Sequence, residues 1–158
     1  MRQFFLISGM VFLISHAAAF GSYSRNRWEI IHRLIPALIQ VESSGNNWKV
    51  GDKKRFYKAY GCLQIRELMC VDVDKRWHTH YKASDCLGNR KLSILICLRY
   101  YRLYDTARVV GHRPTLEDLA RMWNGGPFGF KKRCTLAYWE KVRKVLHSQG
   151  WVLDIGRD

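Results

Sequence analysis

Residues 89–104, NRKLSILICLRYYRLY, constrain this chain more than any other stretch. They read as one helix that is apolar around most of its circumference, with Leu92, Leu95, Ile96 and Leu98 directed inward. A helix of that kind cannot lie on a surface with one side in water. It needs other elements packed around it, which predicts the central buried helix of a bundle.

The remaining elements follow from periodicity and punctuation. Trp28 to about Ser44 reads as a helix with Ile31, Ile35 and Leu38 on one side. Pro36 predicts a kink in it, or a start nearer Ile35. Gly45 to Tyr60 is polar and basic, and Gly51-Asp52 marks a turn beside the β-favouring Phe56, Tyr57 and Tyr60. This predicts a loop or short hairpin. Gly61-Cys62-Leu63-Gln64-Ile65 is expected to open a helix running to about Arg76, with Leu63, Ile65, Leu68, Val71 and Val73 on its apolar side. Residues 77–88 are irregular, and 106–114 form a loop. Thr115 is an N-cap, with Glu117 and Asp118 in the first turn and Leu116, Leu119, Ala120 and Trp123 on one side. That helix must stop at Asn124-Gly125-Gly126-Pro127. A last helix runs from Thr135 or Leu136 to about His147, with Tyr138, Val142 and Val145 inward. The fold class is therefore mainly α, an α+β domain with a small β-hairpin region over residues 28–149, followed by a tail at 150–158.

The first residues read differently. Arg2, the apolar run Phe4–Ile14 and the small residues Ala17-Ala18-Ala19 have the pattern of a secretory signal peptide over 1–19, too short for a membrane span. Residues 20–27 are a polar lead-in. The expected location is secreted or periplasmic. A net charge of +14 draws such a protein to anionic surfaces, and export argues against nucleic acid as an obligate partner. Export also permits disulfides among Cys62, Cys70, Cys86, Cys97 and Cys134, but the odd count leaves at least one free or paired between molecules. There is no CxxC and no zinc-spaced cluster. His78 and His80 lack further ligands at a suitable spacing, so no metal is expected.

Glu42 is out of place. It closes the first helix on the same face as Leu38, Ile35 and Ile31. Lost solvation and the negative end of the helix dipole both disfavour its ionised form, which is how a general acid stays protonated near neutral pH. Asp52, in a solvated polar turn, is the second acid of interest.

Four pieces then stand together: Glu42-Ser43, Gly61-Cys62-Leu63-Gln64-Ile65, Met122-Trp123-Asn124-Gly125-Gly126-Pro127 and Thr135–Val142. Their order and spacing from Trp28 to Val145 resemble the lysozyme-like superfamily. They look most like invertebrate-type lysozymes and their bacterial relatives, with soluble lytic transglycosylase domains adjoining. The resemblance implies a lysozyme-like helical domain that cleaves the β-1,4 glycan of peptidoglycan without metal or organic cofactor, acting as a monomer. It implies Glu42 as the catalytic acid and Asp52 as the second carboxylate of the invertebrate type. It implies Ser43, Gly61, Gln64, Trp123, Asn124, Gly125 and Tyr138 as residues of the substrate cleft. Among these, Gly61 would let backbone approach the sugar, and Tyr138 matches the Tyr that supports the catalytic Glu in transglycosylases. Trp123 departs from the family, standing where His or Tyr is usual, and its ring offers an apolar face for a sugar. Only Cys86 and Cys97 fall at family cysteine positions, so the family's disulfide set does not carry over. Three activities are compatible with the residues: hydrolysis, transglycosylation to a 1,6-anhydro product with Asp52 idle, and cationic wall binding or antimicrobial action without turnover.

Overall fold

The computed structural model describes residues 28–54 and 56–151. The expected signal peptide, the lead-in at 20–27 and nearly all of the tail lie outside them. The chain divides into two units, residues 1–32 and 33–158. In the first, the described residues 28–32 are helical, and the rings of Trp28 and His32 lie 6.4 Å apart.

The second unit opens with residues 33–43 of helix α1. Leu34, Ile35, Ala37, Leu38 and Ile39 are buried, as the apolar spacing requires. The expected start near Ile35 is not found, because residues 28–34 are already helical. Pro36 is exposed, so its missing donor falls on the solvent side and the helix runs through it. Ser44 and Gly45, both at positive φ, end α1.

A two-stranded antiparallel sheet follows, β1 (Val50–Gly51) and β2 (Ala59–Tyr60), with Val50 opposite Tyr60 and Gly51 opposite Ala59. Phe56 and Tyr57, expected to favour strand, lie exposed in the connecting loop. The expected helix at Gly61 is also displaced. Tyr60 and Ile65 exchange backbone hydrogen bonds at 2.9 Å, so Gly61–Gln64 is a tight turn, and helix α2 starts only at Glu67 (Glu67–Trp77). Gly61 and Gln64 both have positive φ, which a helix start cannot accommodate. The inward face of α2 is Cys70 and Val73, whereas Leu68 and Val71 are exposed.

After a 3-10 turn (Ala83–Cys86), helix α3 covers Arg90–Tyr104, N-capped by the Asn89 side chain, which accepts the Leu92 N–H. Its buried stripe is Ser93, Ile96, Cys97, Tyr100 and Tyr101. Leu95 is exposed, so α3 is covered on one face and is not enclosed all round as its composition suggests. The tyrosines can go inside because they find partners: the Tyr101 hydroxyl donates to Leu119 O at 3.0 Å. A short helix α4 (Ala107–Val110) interrupts the expected loop.

Helix α5 (Leu116–Gly125) begins with a capping box in which Thr115 and Asp118 satisfy each other's backbone N–H groups. Helix α6 covers Leu136–Ser148 and buries Trp139, Val142 and Leu146, while Tyr138 and Val145 are half-buried. Arg121 ties α5 to the segment before α6, donating to Glu117 at 2.6 Å and to the Thr135 hydroxyl at 3.0 Å. Lys132 closes the corner on Gly125 O at 2.6 Å. These bonds fix the Asn124–Pro127 corner, which is what the site requires.

All five cysteines stand as free thiols. Cys62, Cys70, Cys86 and Cys97 are buried. Burial pushes the Cys70 thiol up to about 12 and that of Cys86 to about 11, leaving both protonated at neutral pH. Among the described residues, no helix is long and apolar enough to cross a membrane, and no His/Cys/Asp/Glu group is arranged to hold a metal ion.

Candidate active site

The end of α1, the hairpin, the start of α2 and the end of α5 enclose a cleft of about 560 Å³. Glu42, Asp52, Gln64, Trp123 and Asn124 all line it. Tyr138 reaches the same place through a hydrogen bond, its hydroxyl donating to Glu42 Oε1 at 2.6 Å across 96 residues of sequence.

The environment of Glu42 sets its chemistry. Burial holds its carboxyl above the ordinary carboxylate range. The hydrogen bond from Tyr138, the charges of Lys49 and Arg66 and the nearby Trp123 indole oppose that shift without cancelling it. Lys49 Nζ also donates to the Glu42 carbonyl at 2.7 Å, satisfying a backbone acceptor at the helix C-terminus. Tyr138, desolvated against the Glu42 carboxyl, is pushed upward and stays a donor.

Asp52 sits at φ +50 just past β1, with the Arg66 guanidinium paired to its carboxylate. Gln64 spans the turn, its amide donating to Gly61 O at 2.8 Å and Lys49 O at 3.1 Å. A Cβ at Gly51 would stand 2.0 Å from Gln64 Oε1, so a side chain there would displace the Gln64 amide.

Four expected roles change. Ser43 is buried and its hydroxyl bonds Ile39 O at 3.1 Å and Cys62 O at 2.7 Å, so it ties α1 to the turn and does not face the cleft. Gly61 brings backbone close to backbone, not to sugar: a Cβ there would lie 2.5 Å from Cys86 O. Gly125 packs on Thr135, where a Cβ would be 2.7 Å from a methyl group, and Gly126 and Pro127 take the cleft edge. Trp123 is only 4% exposed, packed against Tyr100 (6.0 Å) and Tyr101 (5.8 Å). Its ring has no free face for a sugar; its indole serves Glu42 instead. Lys49, Arg66, Asp72 and Tyr100 were not anticipated at the site. A pairing such as Arg66 with Asp52 leaves no mark on sequence, since it exists only once the hairpin folds onto the start of α2.

Similarity to known proteins points the same way. No family model matches the chain. The lysozyme of Meretrix lusoria is 29% identical over 122 residues, covering 77% of this chain and 94% of that protein. Two crystal structures align with TM-scores of 0.62 at 25% identity, over 76% of this chain and 93% of theirs. One is of Aeromonas hydrophila PliI in complex with that lysozyme, and the other is of the inhibitor-bound lysozyme. These likenesses in sequence and fold support a lysozyme-like superfamily. The helices and small hairpin are those of a lysozyme-like fold, and the invertebrate-type likeness spans most of the chain.

Proposed function

We propose that the chain is a secreted glycosidase hydrolysing the β-1,4 bond between N-acetylmuramic acid and N-acetylglucosamine in peptidoglycan. Glu42 is the general acid/base and Asp52 the nucleophile or electrostatic partner. The observation that carries the reading is the Glu42 carboxyl, raised above the ordinary carboxylate range by burial in a cleft and oriented by Tyr138 at 2.6 Å. Glycoside cleavage needs such a carboxyl at the leaving oxygen and negative charge near an oxocarbenium-like centre. Asp52, on the wall of the same cleft and paired to Arg66, suits the second part. The exposed Asn124 presents an amide suited to an N-acetyl group.

A lytic transglycosylase is the second reading. The Tyr138–Glu42 bond favours it, since one supported acid then performs both proton steps while the sugar's own 6-hydroxyl attacks. The mass of the released glycan separates the two, because hydrolysis adds a water that transglycosylation does not. Glu42→Gln should abolish turnover under either reading while leaving substrate binding intact. Full activity in Glu42→Gln would overturn both.

A further inference from the structure

Trp48 is not part of the cleft, and its setting is unusual for a surface tryptophan. It is 73% exposed, yet its ring is seated against Gly88. A Cβ at Gly88 would lie 2.5 Å from Trp48 Cζ2 and 2.7 Å from Cη2, so the ring occupies space that any other residue's side chain would need. Gly88 has φ +68. The two loops are pinned together by the Gly88 N–H donating to Asn47 O at 2.9 Å. The Trp48 N–H donates to the Asn46 side-chain oxygen at 2.8 Å, fixing the backbone from the other side. One face of the indole is thus held by backbone and the rest stands in water.

We infer that Trp48, seated on Gly88, is a second glycan-binding platform, outside the cleft, that stacks on a pyranose ring of the insoluble polysaccharide. This rests on the glycosidase reading for the choice of ligand. A rigid aromatic face with little rotamer entropy left to lose suits the C–H face of a sugar. The surroundings suit it as well. The adjoining residues Asn46, Asn47 and Lys49 are polar, and Asn46 and Lys49 are exposed. A protein partner would call for apolar neighbours around the anchor. The other exposed large hydrophobic residues, such as Phe56, Leu68 and Phe128, belong to separate segments.

The test is sedimentation with insoluble peptidoglycan sacculi in a Glu42→Gln background, at salt high enough to screen the exposed lysines. Adding Trp48→Ala should weaken retention roughly two- to tenfold, the range of an aromatic stacking contact. Gly88→Ala, which keeps the tryptophan but displaces it, should weaken retention too. In the native background, Trp48→Ala should leave kcat/KM on a short soluble oligosaccharide unchanged. Equal retention with and without Trp48 overturns the platform, as does a parallel loss on the soluble substrate, which would place Trp48 in the cleft or the fold. If the native chain cleaves neither substrate, the glycosidase reading fails, and sedimentation still decides the platform.

Discussion

Tyr138→Phe isolates the bond that orients the acid. It removes one hydroxyl from a half-buried site and leaves the ring in place. The lost interaction is a hydrogen bond donated to a carboxyl oxygen at 2.6 Å. Such bonds to charged groups contribute about 1.5–3 kcal/mol. Tyr138 stabilises the ionised form of Glu42, so without it the proton is held more tightly. At about 1.4 kcal/mol per factor of ten, that is roughly ten- to a hundredfold in proton affinity. Glu42 already stands above the ordinary carboxyl range because of burial, and the substitution moves it further in the same direction. The pH profile of kcat/KM on a soluble oligosaccharide reports the free enzyme's acid. Its alkaline limb should move to higher pH in Tyr138→Phe, while the plateau falls because the carboxyl is less well oriented. An alkaline limb that stays in place, or moves down, would refute the account of Glu42 as an acid set by burial against Tyr138.

Two further outcomes are expected. Asp52→Asn should lower turnover by about 10²–10³ if its charge stabilises the transition state; near-native turnover with anhydro-sugar products would instead leave Glu42 as the sole catalytic residue. Glu42→Gln should stabilise the fold near neutral pH. The native carboxyl's raised folded-state pKa means that its stabilising contribution is complete below the unfolded-state value and lost as pH rises through the folded one. The gap in Tm between Glu42→Gln and the native chain should therefore widen from acid to neutral pH, and a constant gap would contradict the burial of the charge.

What the sequence determined by itself is local. The apolar spacing of residues 34–39, the Thr115–Asp118 cap and the Asn124–Pro127 stop each specify an element through neighbours within one or two turns, and each stands in the fold where it was read. The odd position of Glu42 on an apolar face was legible for the same reason, since helical spacing alone places it there. Wherever the answer depended on a partner distant in sequence, it came only with folding. Gly61–Ile65 has the composition of a helix start, but Ile65 finds Tyr60 across a tight turn, and the paired backbone outweighs local propensity. Trp123 has the chemistry of a sugar platform, but it is buried against Tyr100 and Tyr101 of α3 and acts on the Glu42 carboxyl from inside the fold. The acid's setting was decided likewise, by a hydroxyl brought from α6 and a guanidinium brought from the edge of α2. Charge and hydrogen bonding act over a few ångströms of space, whatever the number of residues between the groups, so spacing along the chain cannot reveal them.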